Sequence, residues 1–267
     1  MITRLGLYKL LGENPERAWA TARHVVTPLM GVLAPSWGYG HELLPAEGGA
    51  VVAVNHFSGI DPTLLGVHSR RALYYMAKIE LLALPVAGEI LRWMGAFAVR
   101  RGEGDRESVR VARWLVRVGH VVGVFAEGTR QRLGYPGPLH TGAAMVALQE
   151  RVPIVPCGID TFGWSFHNRR RCCVVWGEPL HFDLPRTGAG YKEATVEVER
   201  RVHALWRQAA QAVADGFPDA LPSGLQRRPP IRGPDSRQHP ELPPWPGEEW
   251  AERPLGPVYR PRGVTSA

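Results

Sequence analysis

The residues best placed to do chemistry are His56 and Asp61, in Asn55-His56-Phe57-Ser58-Gly59-Ile60-Asp61, directly after the apolar run Val51–Val54. Imidazole titrates near neutrality, so it can accept a proton at working pH. A carboxylate beside it fixes its tautomer and stabilises the imidazolium that forms. Such a pair can deprotonate a hydroxyl or thiol without a metal. Asp61 followed by Pro62 is also a good helix start, with Asp as N-cap and Pro at the first helical position.

Three more segments carry reactive or anion-binding types. Phe125-Ala126-Glu127-Gly128-Thr129-Arg130 ends a predicted strand in a turn that displays a carboxylate, a hydroxyl and a guanidinium. Thr and Arg donate to phosphate oxygens, and Glu accepts from a substrate hydroxyl. Gly95 to Gly102 ends in Arg100-Arg101, which suits an anion. Val152-Pro153-Ile154-Val155-Pro156-Cys157 reads as a buried strand edged by prolines.

These segments need a scaffold, and the pattern supplies one. Strands are expected at Val51–Val54, Leu73–Ala77, Gly95–Val99, Val121–Phe125, Val152–Ile159 and Cys172–Trp176. Helices are expected from Asp61, over Ile79–Trp93 with a break at Pro85, over Asp105–Val118, over Ala143–Glu150 and over about Gly190–Asp215. On the third of these, Val109, Ala112, Leu115 and Val116 share a face, and Gly119 ends it. On the last, Val198, Val202, Leu205, Trp206, Ala209 and Val213 form the inner face. The alternation predicts a single α/β domain, with a largely parallel or mixed central sheet flanked by helices. Ligands gather at the carboxyl ends of such strands, and both His56 and Glu127 fall just past strand ends.

Composition divides the chain into residues 1–45, an N-terminal helical segment; 46–215, the catalytic domain; and 216–267, which hold 12 of the 24 prolines. That last stretch reads as extended or disordered, in part draped over the body. It has seven Arg against six acids, so nearly all of the net charge of +7 belongs to the rest. A basic body suits an anionic partner. Only Lys9, Lys78 and Lys192 are lysines; arginine's forked guanidinium is the better phosphate clamp. The Arg residues are dispersed and lack the basic-aromatic pattern of a nucleic-acid interface. Cys157, Cys172 and Cys173 match neither a disulfide framework nor a zinc spacing and fit a reducing compartment. Met1–Glu13 lacks a signal peptide's apolar core, and no run of 18 apolar residues spans a membrane. Val25–Pro35 reads as a helix packed on the domain, with shallow contact to a bilayer interface as the other reading.

Taken in order, the four segments resemble the boxes of the glycerolipid acyltransferases typified by 1-acylglycerol-3-phosphate acyltransferase. Asn55-His56 with Asp61 matches the Asn-His-x4-Asp box; Lys78, Glu80-Leu81, Pro85 and Gly88 fit the segment after it; Gly95–Arg101 fits the second box. Phe125–Arg130 matches the third, with Ala126 where proline is usual, and Val152–Pro156 the fourth; Val175–Pro179 fits the strand and turn near the domain's end. Leu139-His140-Thr141-Gly142 stands where the family often has Phe-Lys before a glycine. The resemblance covers about residues 45–210.

It implies transfer of a fatty acyl group from acyl-CoA or acyl-acyl carrier protein to a lysophospholipid hydroxyl, at the cytoplasmic face of a membrane and with no metal or bound cofactor. His56 is then the base and Asp61 its orienting partner. Arg101, Thr129 and Arg130 bind the acceptor phosphate. Glu127 and Gly128 shape the glycerol site, and Asn55 sets the loop or contacts the acyl group. The rival readings are another lyso-lipid acceptor, an aminolipid or glycolipid, and a hydrolase with Ser58 or water as nucleophile.

Overall fold

Ala50–Val54 explains the architecture. All five residues are buried; alternate side chains serve opposite faces, Val51 and Ala53 in one core cluster, Ala50, Val52 and Val54 in another. A short strand apolar on both faces belongs in the middle of a sheet covered on both sides. The computed structural model describes residues 15–78, 82, 83, 85, 95–99 and 106–232.

The elements in chain order are α1 (Pro15–Leu33), β1 (Ser36–Tyr39), a 3-10 turn at His41–Leu43, β2 (Ala50–Val54), α2 (Asp61–Val67), β3 (Leu73–Lys78), β4 (Ala96–Val99), α3 (Arg106–Arg117), β5 (Val121–Phe125), α4 (Gly142–Glu150), β6 (Ile154–Asp160), β7 (Cys172–Trp176), α5 (Gly188–Ala214) and β8 (Arg227–Arg228). The sheet runs β4-β3-β5-β2-β6-β7-β1-β8. From β4 to β6 the neighbours are parallel; β7 runs antiparallel to β6, β1 parallel to β7, and β8 antiparallel to β1. The fold is the expected α/β type with a mixed central sheet. Helices α3, α4 and α5 cover one face, with Ala112, Trp114, Leu115, Ala144, Val146 and Val202 in the core. Helices α1 and α2 cover the other through Met30, Leu64 and Leu65. Helix α5 lies so close to β6 that a Cβ at Gly158 would fall 2.1 Å from the Trp206 nitrogen, so only glycine fits there.

Several expectations change. Ser36–Tyr39, inside the segment expected to be helical, is a sheet strand paired with Cys172–Val175. Asp61 does not cap α2: the N-cap is Ile60, and Asp61 is the first helical residue with its carboxylate turned back on the preceding loop. Beyond Asp215 the chain drapes over the body, as expected of part of it, with Phe217 and Leu221 packed on Tyr39, Val175 and Ala209, and it also adds the strand β8 to the sheet edge. The helix expected over Ile79–Trp93 lies largely outside the described residues, and Arg100 and Arg101 lie outside them entirely. Among the described residues, no helix is long and apolar enough to cross a membrane.

Candidate active site

Register brings the site together. Val54 lies opposite Phe125 on one side and Cys157 on the other. Two residues past each of these stand His56, Glu127 and Ile159, abreast at the carboxyl ends of the three central strands.

His56 is clamped at three polar atoms. Its backbone N–H donates to Glu127 Oε2 at 2.6 Å, its carbonyl accepts from the Gln131 N–H at 2.7 Å, and its Nδ1 lies 2.7 Å from Asp61 Oδ2. Its ring packs on Phe125 with centroids 4.3 Å apart. Asp61 is fully buried. Oδ2 also accepts from the N–H groups of Phe57 at 2.7 Å and Ser58 at 2.8 Å, and Oδ1 accepts from the Thr161 hydroxyl. With a carboxylate that only accepts on Nδ1, the ring's proton sits there and Nε2 carries the lone pair. The arrangement pairs an imidazole with a carboxylate that orients it, 10% exposed at the His56 side chain.

Glu127 is 3% exposed, and its second oxygen accepts from the Gly137 N–H at 2.7 Å. It therefore shapes the site as a brace between the His56 loop and the 131–141 segment. Burial pushes its acid up to about 7, against the two backbone N–H groups that favour the charged form; the Asp61 charge adds to the rise. Gly128 turns with φ 69° and sits against His140, where a Cβ would come within 3.1 Å. Asn55 is fully buried; its amide donates to the Ile159 carbonyl and accepts from the Ile159 N–H, both at 2.9 Å. These bonds tie the start of the His56 loop to β6. Thr129 and Arg130 are exposed, and the Arg130 guanidinium approaches the His56–Asp61 loop, 3.9 Å from where a Cβ on Gly59 would lie. The Ser58 hydroxyl accepts from the Ile60 N–H at 3.5 Å and makes no hydrogen bond to His56. Beside Phe125, an apolar recess is lined by Met76, Val124, Ala126, Gly128, His140 and Ala143.

Sequence reasoning passed over Thr161 and Gly137. Thr161 had a usable signal, a polar residue one position past a central strand; Gly137 contributes only backbone and had none.

The constellation has relatives. Residues 38–160 match the family model described as Acyltransferase. The 1-acyl-sn-glycerol-3-phosphate acyltransferase of Bacillus subtilis is 33% identical over 146 residues, covering 54% of this chain and 72% of that protein. The chain belongs to the acyltransferase family. This acyltransferase is also 34% identical over 125 residues to the human 1-acyl-sn-glycerol-3-phosphate acyltransferase beta, 45% of the chain and 44% of that protein. It superposes on the crystal structure of the 1-acyl-sn-glycerophosphate acyltransferase PlsC from Thermotoga maritima with a TM-score of 0.57 at 21% identity, over 73% of this chain and 80% of that one. That likeness is one of fold. Membership makes the chain an O-acyltransferase.

Proposed function

We propose that this acyltransferase moves a fatty acyl group from acyl-CoA or acyl-acyl carrier protein to the free hydroxyl of a lysophospholipid, 1-acylglycerol-3-phosphate, giving phosphatidic acid. The observation that carries the reading is the His56 Nδ1–Asp61 Oδ2 contact of 2.7 Å, which leaves Nε2 as the one basic ring atom. In the reaction, Nε2 takes the proton of the acceptor hydroxyl as its oxygen attacks the thioester carbonyl. Asp61 holds the imidazolium. The tetrahedral intermediate then collapses: the carbon–sulfur bond breaks, and the thiolate leaves with the proton returned from Nε2. Transfer is direct, in keeping with a Ser58 hydroxyl that does not face His56. Arg130, with Thr129 and Arg101, holds the acceptor phosphate. The relatives' names, 1-acyl-sn-glycerol-3-phosphate acyltransferases, support the acceptor. A lipid acceptor needs approach from a bilayer, and the acyltransferase docks peripherally on the cytoplasmic face through α1, whose Val25, Leu29 and Val32 are exposed.

The test is a panel of lysolipid acceptors offered with a long-chain acyl-CoA and read by mass spectrometry. Phosphatidic acid is expected from 1-acylglycerol-3-phosphate. His56→Ala should lower turnover by about 10²–10⁴-fold, the usual worth of a general base, with the circular dichroism unchanged. Near-wild-type turnover in that variant overturns the mechanism. Product from an aminolipid or glycolipid alone reassigns the acceptor, and free fatty acid released regardless of acceptor makes the chain a hydrolase.

A further inference from the structure

The two oxygens of the Asp61 carboxylate have unlike settings. Oδ2 is surrounded by three donors: His56 Nδ1 and the N–H groups of Phe57 and Ser58. Oδ1 meets one, the hydroxyl of Thr161, which is itself 1% exposed. With Asp61 fully buried, solvent does not stand in for that donor. We propose that Thr161 is a positioning residue for acyl transfer: its hydroxyl anchors Oδ1 and so keeps Oδ2 turned on His56 Nδ1. This rests on His56 acting as the base.

The end of β6 is built to hold that hydroxyl still. Three successive residues are each fastened. The backbone of Ile159 clasps the Asn55 amide at 2.9 Å on both sides. Asp160, buried, accepts from Arg170 at 2.9 Å and closes the base of the loop between β6 and β7. The Thr161 hydroxyl then donates to Asp61, and its carbonyl accepts from the Trp164 N–H at 3.1 Å. A β-branched side chain is stiff about its first torsion, so a fixed backbone fixes the hydroxyl.

Removing the hydroxyl leaves a buried carboxylate oxygen without a donor. That disfavours the charged form and frees the carboxyl plane to rotate. The Asp61 charge matters most when the imidazolium forms, so the loss falls on the transition state and hence on kcat rather than on substrate binding. A hydroxyl that only closed the strand end would alter stability and nothing else.

Thr161→Val keeps the shape and deletes the donor; Thr161→Ser keeps the donor. Expected is a fall in kcat of about 10- to 100-fold in the valine variant, by analogy with loss of the group that orients a metal-bound histidine, with both KM values within about two-fold. The serine variant keeps the donor without the stiffening methyl group and should lie between the wild type and the valine variant. The readout that structure alone would not move is the downfield proton resonance of His56 Nδ1, assigned by its absence in His56→Ala. It should shift upfield in the valine variant and stay in the serine variant. Wild-type kcat in Thr161→Val, equal losses in both variants, or an unmoved resonance overturns the proposal. Turnover in His56→Ala overturns the base assignment as well. A dead His56→Ala beside a fully active Thr161→Val removes only the role of Thr161.

Discussion

At the scale of single residues, the site spends nearly every polar atom on holding one nitrogen. The backbone N–H, carbonyl and Nδ1 of His56 are each engaged, so Nε2, the base of the proposed reaction, is held in place before substrate arrives. Glu127 is the unusual member, a buried acid raised from 4.5 to about 7 that holds two N–H groups. Glu127→Gln puts an amide NH₂ where one of those N–H groups needs an acceptor, a cost of about 1–3 kcal/mol. The pH dependence has a definite sign. The folded-state value lies above the ordinary one, so between about 4.5 and about 7 the folded chain holds a proton the unfolded chain has lost. Glu127's contribution to stability is therefore complete below that window and declines as pH rises through it. The difference in Tm between wild type and Glu127→Gln should narrow from about pH 4.5 to about pH 8 by thermal melts. A difference that holds constant or widens would mean that the carboxylate stays charged throughout.

At the scale of elements, long or strongly patterned stretches were legible and short or relational ones were not. Val121–Phe125 and Cys172–Trp176 carry their boundaries in valine-rich runs set between turn residues, and the structure returns both. Ser36-Trp37-Gly38-Tyr39 has neither alternation nor length; it is a strand because Cys172–Val175 and Arg227–Arg228 lie alongside. His56 and Glu127 were legible because strand ends mark ligand sites, and Asp61 because a carboxylate follows the histidine within one short loop. The pairing of Asp61 with His56 was legible as well; the rest of the carboxylate's work was not, since a local rule made it a helix cap while donors from Phe57, Ser58 and Thr161 claimed it. The stretch after Asp215 follows the same logic. Its composition reads as extended, yet Phe217 is 4% exposed, and the Pro218 carbonyl accepts from the Tyr39 hydroxyl at 2.7 Å. Phe217 fixes the 216–232 segment over α5 and β1. Phe217→Ala should cost about 3–5 kcal/mol, as for other buried phenylalanines. Denaturant melts would measure it, with kcat retained at a permissive temperature. A loss below about 1 kcal/mol, the level of a surface change, would mean that the segment is not part of the cooperative fold.

At the scale of the molecule, apolar exposure is concentrated on one side. With the exception of Val196, the exposed large apolar side chains among the described residues are Val25, Leu29 and Val32 on α1, Phe162 and Phe166 after β6, and Leu133 and Tyr135 after β5. These groups adjoin one another. The Trp164 indole N–H donates to the Leu33 carbonyl at 3.0 Å, joining the Phe162–Phe166 loop to α1. The Phe162 ring meets Phe57 edge-on at 5.8 Å, beside His56, and lies against Gly134. A soluble surface seldom collects apolar side chains in this way without a partner; on the proposed function, the partner to test is a bilayer that also delivers the acceptor. Exposed Arg132, Arg169 and Arg171 on the same loops, with the net charge of +7, give anionic lipid the advantage, each basic residue near the surface adding roughly 1 kcal/mol. The protein should float with vesicles containing anionic phospholipid at low salt, less at high salt, and least with neutral vesicles. Replacing Val25, Leu29 and Val32 together by Ser removes apolar surface from a solvent-facing stripe, so Tm should hardly move. A loss of only about 1.4 kcal/mol of insertion energy would still lower vesicle partitioning ten-fold. Turnover of vesicle-borne acceptor should fall with it, while turnover of a short-chain, water-soluble acceptor should not. Flotation with neither vesicle at either salt would reject the bilayer as partner; equal losses on both acceptors would mean that the α1 stripe supports the fold of the site rather than its access to lipid.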